Sequence, residues 1–89
     1  MKSEVTAEFI RRFRRLPNRI QRAARKNYKL WKQDPSYESI NFKKVGKRMP
    51  IYSVRVGIGW RALGVLERNT ITWFWIGSHA EYDRLLQKM

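Results

Sequence analysis

Three β-branched and aromatic runs lie close together in the second half of the chain: Ile51–Val56, Trp60–Leu66 and Thr70–Trp75. Each reads as a strand. Only Gly57-Ile58-Gly59 and Glu67-Arg68-Asn69 separate them, and connections this short belong to hairpins. Three consecutive hairpin-linked strands imply an antiparallel sheet. A hairpin centred on Ile58 pairs Val56 with Trp60 and Arg55 with Arg61. Directly opposed residues share a face, so two arginines stand side by side. If Arg68-Asn69 is a two-residue turn, Trp73 lies opposite Gly64 and Trp75 opposite Ala62. Small residues then make room for both indoles beneath covering helices. A one-residue change of register would exchange the tryptophan faces.

The first half reads as two helices. From Thr6 to Leu16, Phe9, Ile10, Phe13 and Leu16 recur at helical spacing. Pro17 ends this segment and opens the next, since proline is tolerated in a first turn. The second helix runs from about Asn18 to Lys32, with Ile20, Ala23, Ala24, Tyr28 and Trp31 on its buried side. Small Ala23 and Ala24 are expected to admit the first helix closely, giving an αα-hairpin. The arginines and lysines elsewhere on both helices read as a solvated exterior.

Asp34-Pro35-Ser36 is turn chemistry. Ser39–Val45 follows as a further strand, with Ile40 and Phe42 alternating against polar residues. Lys43, Lys44, Lys47 and Arg48 then cluster around Gly46. Such a cluster suits phosphate contacts, a soluble loop, or an edge strand protected against pairing with other chains. The expected fold is α+β. An N-terminal αα-hairpin packs on an antiparallel sheet of about four strands, followed by a short C-terminal helix, all in one domain spanning residues 1–89.

The last strand runs into Ser78-His79-Ala80-Glu81-Tyr82. Ser78 and Glu81 fit a capping box, with Ser78 as N-cap. His79, the only histidine, then opens the helix, and Tyr82 lies on the same helix face. The free N–H groups and dipole at that end favour an anion such as phosphate.

The charge balance narrows the partner. Twenty Lys and Arg against seven acids leave a formal charge of +13, which points to a polyanion. Nucleic acid comes first, an acidic protein second and an anionic membrane surface third. Hydrophobic residues make up 43% of the chain, which argues against global disorder. Cysteine is absent, so disulfides and thiolate metal sites are excluded. One histidine and seven scattered acids do not compose a metal site. No run of apolar residues is long enough to span a membrane, and Met1–Thr6 lacks a signal-peptide core. A cytoplasmic protein without cofactor or metal is expected.

Cleaving a phosphodiester without a metal requires cations to hold the phosphate and a group that moves protons. Arg55 and Arg61 meet the first need and His79 the second, because a helix N-terminus and nearby arginines disfavour its charged form. A neutral imidazole accepts a proton from a ribose 2′-hydroxyl, which attacks the adjacent phosphorus. Tyr82 has three candidate roles: hydrogen-bond donor, base-stacking platform and aid to the leaving group.

Several stretches together resemble the RelE/ParE toxin superfamily of bacterial toxin–antitoxin systems. These are Leu16-Pro17 between two helices, Asp34-Pro35, Tyr52-Ser53-Val54-Arg55-Val56, Trp60-Arg61-Ala62-Leu63, and Ile76-Gly77-Ser78-His79-Ala80-Glu81-Tyr82-Asp83-Arg84. The His-Ala-Glu-Tyr-Asp stretch is similar to the HigB branch. The resemblance covers nearly the whole chain. It implies a cytoplasmic, metal-independent endoribonuclease that cleaves mRNA on the ribosome, inhibits translation and is neutralised by a cognate antitoxin. It places Arg55, Arg61, His79 and Tyr82 at catalytic positions. Lys43, Lys44, Lys47 and Arg48 are the candidate RNA contacts, on their charge alone. Some members carry two lysines where this chain has Ser53 and Arg55. The N-terminal strand that often opens the fold is expected to be short or absent, because Met1–Val5 leaves little room. Two other functions stay open: a ParE-type non-catalytic toxin that inhibits DNA gyrase, and a basic nucleic-acid-binding module. A homodimer is among the assemblies this reading allows.

Overall fold

The fold is built on a five-stranded mixed sheet, here described for residues 1–88 of a computed structural model. The strands are β1 (Lys2–Val5), β2 (Lys43–Lys44), β3 (Ile51–Gly57), β4 (Trp60–Glu67) and β5 (Thr70–Ser78). Their order across the sheet is β1-β5-β4-β3-β2. Helices α1 (Ala7–Arg14) and α2 (Asn18–Gln33) precede β2, and α3 (His79–Lys88) follows β5. Among the described residues, no helix is long and apolar enough to cross a membrane.

The three C-terminal strands form the two expected hairpins. Glu67 pairs with Thr70, leaving Arg68 and Asn69 as a two-residue turn with φ of 49° and 63°. Both are left-handed, which matches the twist of the flanking strands. Arg55 pairs with Arg61 as expected.

Two β-bulges change the rest of the register. Val56 is an extra residue in β3, so Trp60 pairs with Gly57 rather than with Val56. The hairpin loop is then Ile58-Gly59, with Gly59 at φ 79°. In β5, Phe74 is the extra residue. Trp73 pairs with Gly64 as expected, but Trp75 pairs with Leu63 rather than with Ala62. An inserted residue reverses the alternation that follows it. Trp73 therefore lies in the core beneath the helices, while Trp75 joins Ile51, Leu63 and Tyr82 on the other face.

The sheet has five strands, one of them parallel, where about four antiparallel strands were expected. The additional strand is β1, which pairs in parallel with Thr70–Trp73 of β5. Lys2 N–H donates to Asn69 O, Thr6 N–H to Trp73 O, and the Trp73 indole N–H to Ser3 Oγ at 3.1 Å. This strand buries little, with Val5 still 47% exposed, so it leaves no hydrophobic alternation to read. The strand expected over Ser39–Val45 shrinks to Lys43–Lys44. Glu38–Ile40 is a 3₁₀ turn that buries Ile40, and Asn41 follows at φ 50°. Asparagine tolerates this left-handed geometry better than most residues, and it breaks the extended run.

Thr6 caps α1 by accepting a hydrogen bond from Phe9 N–H at 3.1 Å. The two helices do not close on each other as expected. α1 lies on β5 and α2 on β3, leaving between them an apolar groove of about 550 Å³. Ala23 serves the approach to β3 instead: a Cβ built on Gly57 would lie 3.6 Å from its own. Tyr28, expected to be buried, is 42% exposed and lines the groove.

Candidate nucleic-acid cleavage site

α3 packs on the sheet face opposite α1 and α2, and the residues of the site meet beneath its first turn. The capping box forms as expected. Ser78 N–H donates to Glu81 Oε1 at 3.1 Å, the Ser78 hydroxyl to the same oxygen at 3.0 Å, and Glu81 N–H to Ser78 Oγ at 3.2 Å. His79 N–H donates to Gly59 O at 2.7 Å, which ties the helix start to the β3–β4 turn. The N–H groups of His79 and Glu81 are thus spent within the chain. The helix end offers an anion less than its sequence implied, and the guanidinium groups offer more.

Arg55 and Arg61 stand opposite one another on this face, Arg55 exposed and Arg61 5% exposed. A guanidinium so deeply buried ordinarily needs an acid partner. Arg61 forms no ion pair among the described residues. Its Nη1 donates to Asn41 O over a long 3.5 Å, and its Nε has no partner among the described residues. Its guanidinium carbon lies 5.4 Å from the centre of the Tyr82 ring. Burial pushes its pKa below the ordinary arginine value and Arg55 adds to that, while Tyr82 and Asp83 oppose it. The charge persists because arginine loses its proton only at extreme pH. The result is a desolvated cation beside a second cation, with unused donor capacity.

Tyr82 is 4% exposed and packs with Ile51, Leu63 and Trp75. Its ring neighbours both Arg61 and His79, whose imidazole meets it edge-on at 5.6 Å and 81°. His79 is half-exposed, and its Nδ1 lies 3.1 Å from Asp83 Oδ2. Adjacency therefore runs from the Arg55–Arg61 strand pair through Tyr82 and His79 to Asp83, and all four residues proposed from sequence belong to it.

The basic cluster divides. Lys43 pairs with Ser53, which alternates with Arg55 on the site's face, so register places Lys43 there too. Lys44 pairs with Tyr52 and belongs to the opposite face. Lys47 and Arg48 are exposed in the following loop. Among the described residues, no group of three or more His, Cys, Asp or Glu side chains is placed to hold a metal ion.

Sequence reasoning missed two members of the site. Asp83 had a readable signal, since it stands four residues after His79 on one helix. Asn41 had none, because only tertiary structure brings its carbonyl to Arg61.

The family model described as ParE-like toxin domain matches residues 18–84. No curated protein matches the chain in sequence. Among solved structures, YafQ from E. coli strain BL21(DE3) is similar over 91% of this chain and 96% of its own, with TM-score 0.71 and 12% identity. A chain of the RelE–RelB complex from Pyrococcus horikoshii OT3 is similar over 88% and 93%, with TM-score 0.67 and 12% identity. A chain of the RelB–RelE antitoxin–toxin complex from Methanococcus jannaschii is similar over 91% and 96%, with TM-score 0.66 and 20% identity. At these identities the structural likeness establishes the fold.

Proposed function

Because the chain belongs to the ParE-like toxin domain family, within the RelE/ParE toxin superfamily, we propose that it is the toxin of a toxin–antitoxin pair. In this reading, residues 1–89 form one toxin domain that acts in the cytoplasm as a metal-independent endoribonuclease on ribosome-bound mRNA. The observation that carries the reading is Arg61: buried, charged, paired with no acid among the described residues and set against Arg55. A phosphate oxygen supplies the acceptor this guanidinium lacks, and the two arginines absorb charge that builds on the phosphorane.

His79 Nε2 takes the proton of the ribose 2′-hydroxyl. The 2′-oxygen bonds to phosphorus and the bond to the 5′-oxygen breaks. The departing 5′-oxygen takes a proton from water, leaving a cyclic phosphate and a 5′-hydroxyl. Tyr82 is too buried to stack on a base, and its role is to hold Arg61. Lys43, on the face of the site, contacts the RNA backbone together with Lys47 and Arg48 of the exposed loop, while Lys44 faces away from it.

Two of the similar structures are complexes of RelE with RelB, the second an antitoxin–toxin complex, which supports a protein antitoxin as partner here. The groove between α1 and α2 suits an acidic amphipathic segment. It is apolar within, Val5 and Tyr28 are exposed along it, and Arg25 and Lys29 line it.

The deciding experiment is brief induction followed by mapping of transcript ends, with His79→Ala and Arg61→Ala alongside. New ends in the wild type that both variants lose are expected. Broken DNA with intact transcripts would select gyrase inhibition instead. Equal cleavage in all three would refute the residue roles.

A further inference from the structure

We infer that Asp83 is a positioning residue for His79: its carboxylate holds the imidazole proton on Nδ1 and so leaves Nε2 as the proton acceptor. A carboxylate accepts hydrogen bonds and donates none. With Asp83 Oδ2 at 3.1 Å from Nδ1, a neutral ring carrying its proton on Nε2 would turn a lone pair toward another lone pair. The form protonated on Nδ1 makes a charge-assisted hydrogen bond instead. Tyr82 supplies the second restraint, its ring meeting the imidazole edge-on at 81°. Two contacts on one helical turn thereby set both the tautomer and the ring plane.

The neighbouring charges leave Asp83 free for this task. Glu81, also in the first turn, is held by Ser78. From the sheet, Arg61 stands across the Tyr82 ring, with Arg55 beside it. Asp83 makes no other hydrogen bond or ion pair among the described residues. The pair adds little to stability, because both side chains are more than half exposed. Its effect falls on which nitrogen carries the proton.

The inference takes its catalytic consequence from the ribonuclease reading, while its first test is independent of activity. The chain holds one histidine, so ¹⁵N-labelled full-length protein made by cell-free synthesis gives a single imidazole spin system. Two-bond ¹H–¹⁵N correlation shows which nitrogen is protonated in the neutral ring. The Nδ1–H form is expected to dominate in the wild type and to lose that dominance in Asp83→Ala, with backbone amide spectra otherwise unchanged. In cleavage assays, Asp83→Ala should lower kcat with KM held, by less than the roughly 10²- to 10⁴-fold that a general base itself contributes, and Asp83→Glu should recover part of the loss. An Nε2–H wild type, or a tautomer unaffected by Asp83→Ala, would overturn the inference. So would a changed tautomer with unchanged kcat. Wild-type protein that cleaves no RNA would defeat the ribonuclease reading separately, and the tautomer comparison would still decide whether Asp83 sets the ring.

Discussion

Gly77 lies so close to the Trp75 indole that a Cβ placed there would come within 2.7 Å of Cζ2 and 2.8 Å of Cη2. The same Cβ would stand 3.1 Å from Glu81 Oε1, the acceptor of the capping box. Gly77→Ala should therefore displace the indole or loosen the start of α3, at a cost of about 1–3 kcal/mol. Denaturant unfolding of the variant checks this, and a change below about 0.5 kcal/mol would show that the contact is slack.

Arg61 separates stability from activity. A buried charge without an acid partner contributes little to folding, and replacing it with an apolar side chain of similar reach is often neutral or stabilising. Arg61→Met is expected to hold or raise the melting temperature while reducing RNA cleavage by roughly 10²- to 10³-fold. Arg61→Lys should not restore cleavage, since an ammonium lacks the planar fork that meets two phosphate oxygens. Thermal melts and a cleavage assay on the same preparations decide it.

Acid should weaken the start of α3. Hydrogen bonds from the Ser78 backbone and hydroxyl hold the Glu81 carboxyl below its usual range, with burial opposing them. A carboxyl depressed in the folded chain stabilises fully above its unfolded value, near 4.5, and that contribution is lost as pH falls through the lower folded value. Glu8, hydrogen-bonded by Arg11, and Asp34, hydrogen-bonded by Ser36, act with the same sign. Glu81→Gln can keep the capping geometry without the charge. The wild type should exceed it in melting temperature at neutral pH, with the gap closing toward about pH 3. A gap independent of pH would remove the carboxylate's role.

The groove between α1 and α2 can be tested apart from the cleavage site. Tyr28 is 42% exposed along it, so Tyr28→Glu should fold normally and cut RNA as before. A negative charge there repels an acidic segment. Affinity for the antitoxin is expected to fall about tenfold or more, about 1.4 kcal/mol. Titration calorimetry measures this directly, and unchanged affinity would place the antitoxin elsewhere.

What the sequence determined by itself was local. The hairpin of β3 and β4 brings Arg55 opposite Arg61 across a short turn, and the capping box places His79 and Tyr82 on one helix face. Each relation spans few residues, so spacing alone carries it. The pairing of β1 with β5 joins the first strand to the last, and nothing within Lys2–Val5 announces it. The bulges were decided by packing. A Cβ at Gly64 would come within 2.7 Å of both Ile71 and Trp73, so the register there follows how bulky side chains fit. The bulge at Phe74 puts Trp75 on the face where α3 lands, and Tyr82 packs beside it over Leu63. Convergence of the arginines, the phenol and the imidazole rests on that landing, which is set by contacts between elements and not by the order of residues within any one of them.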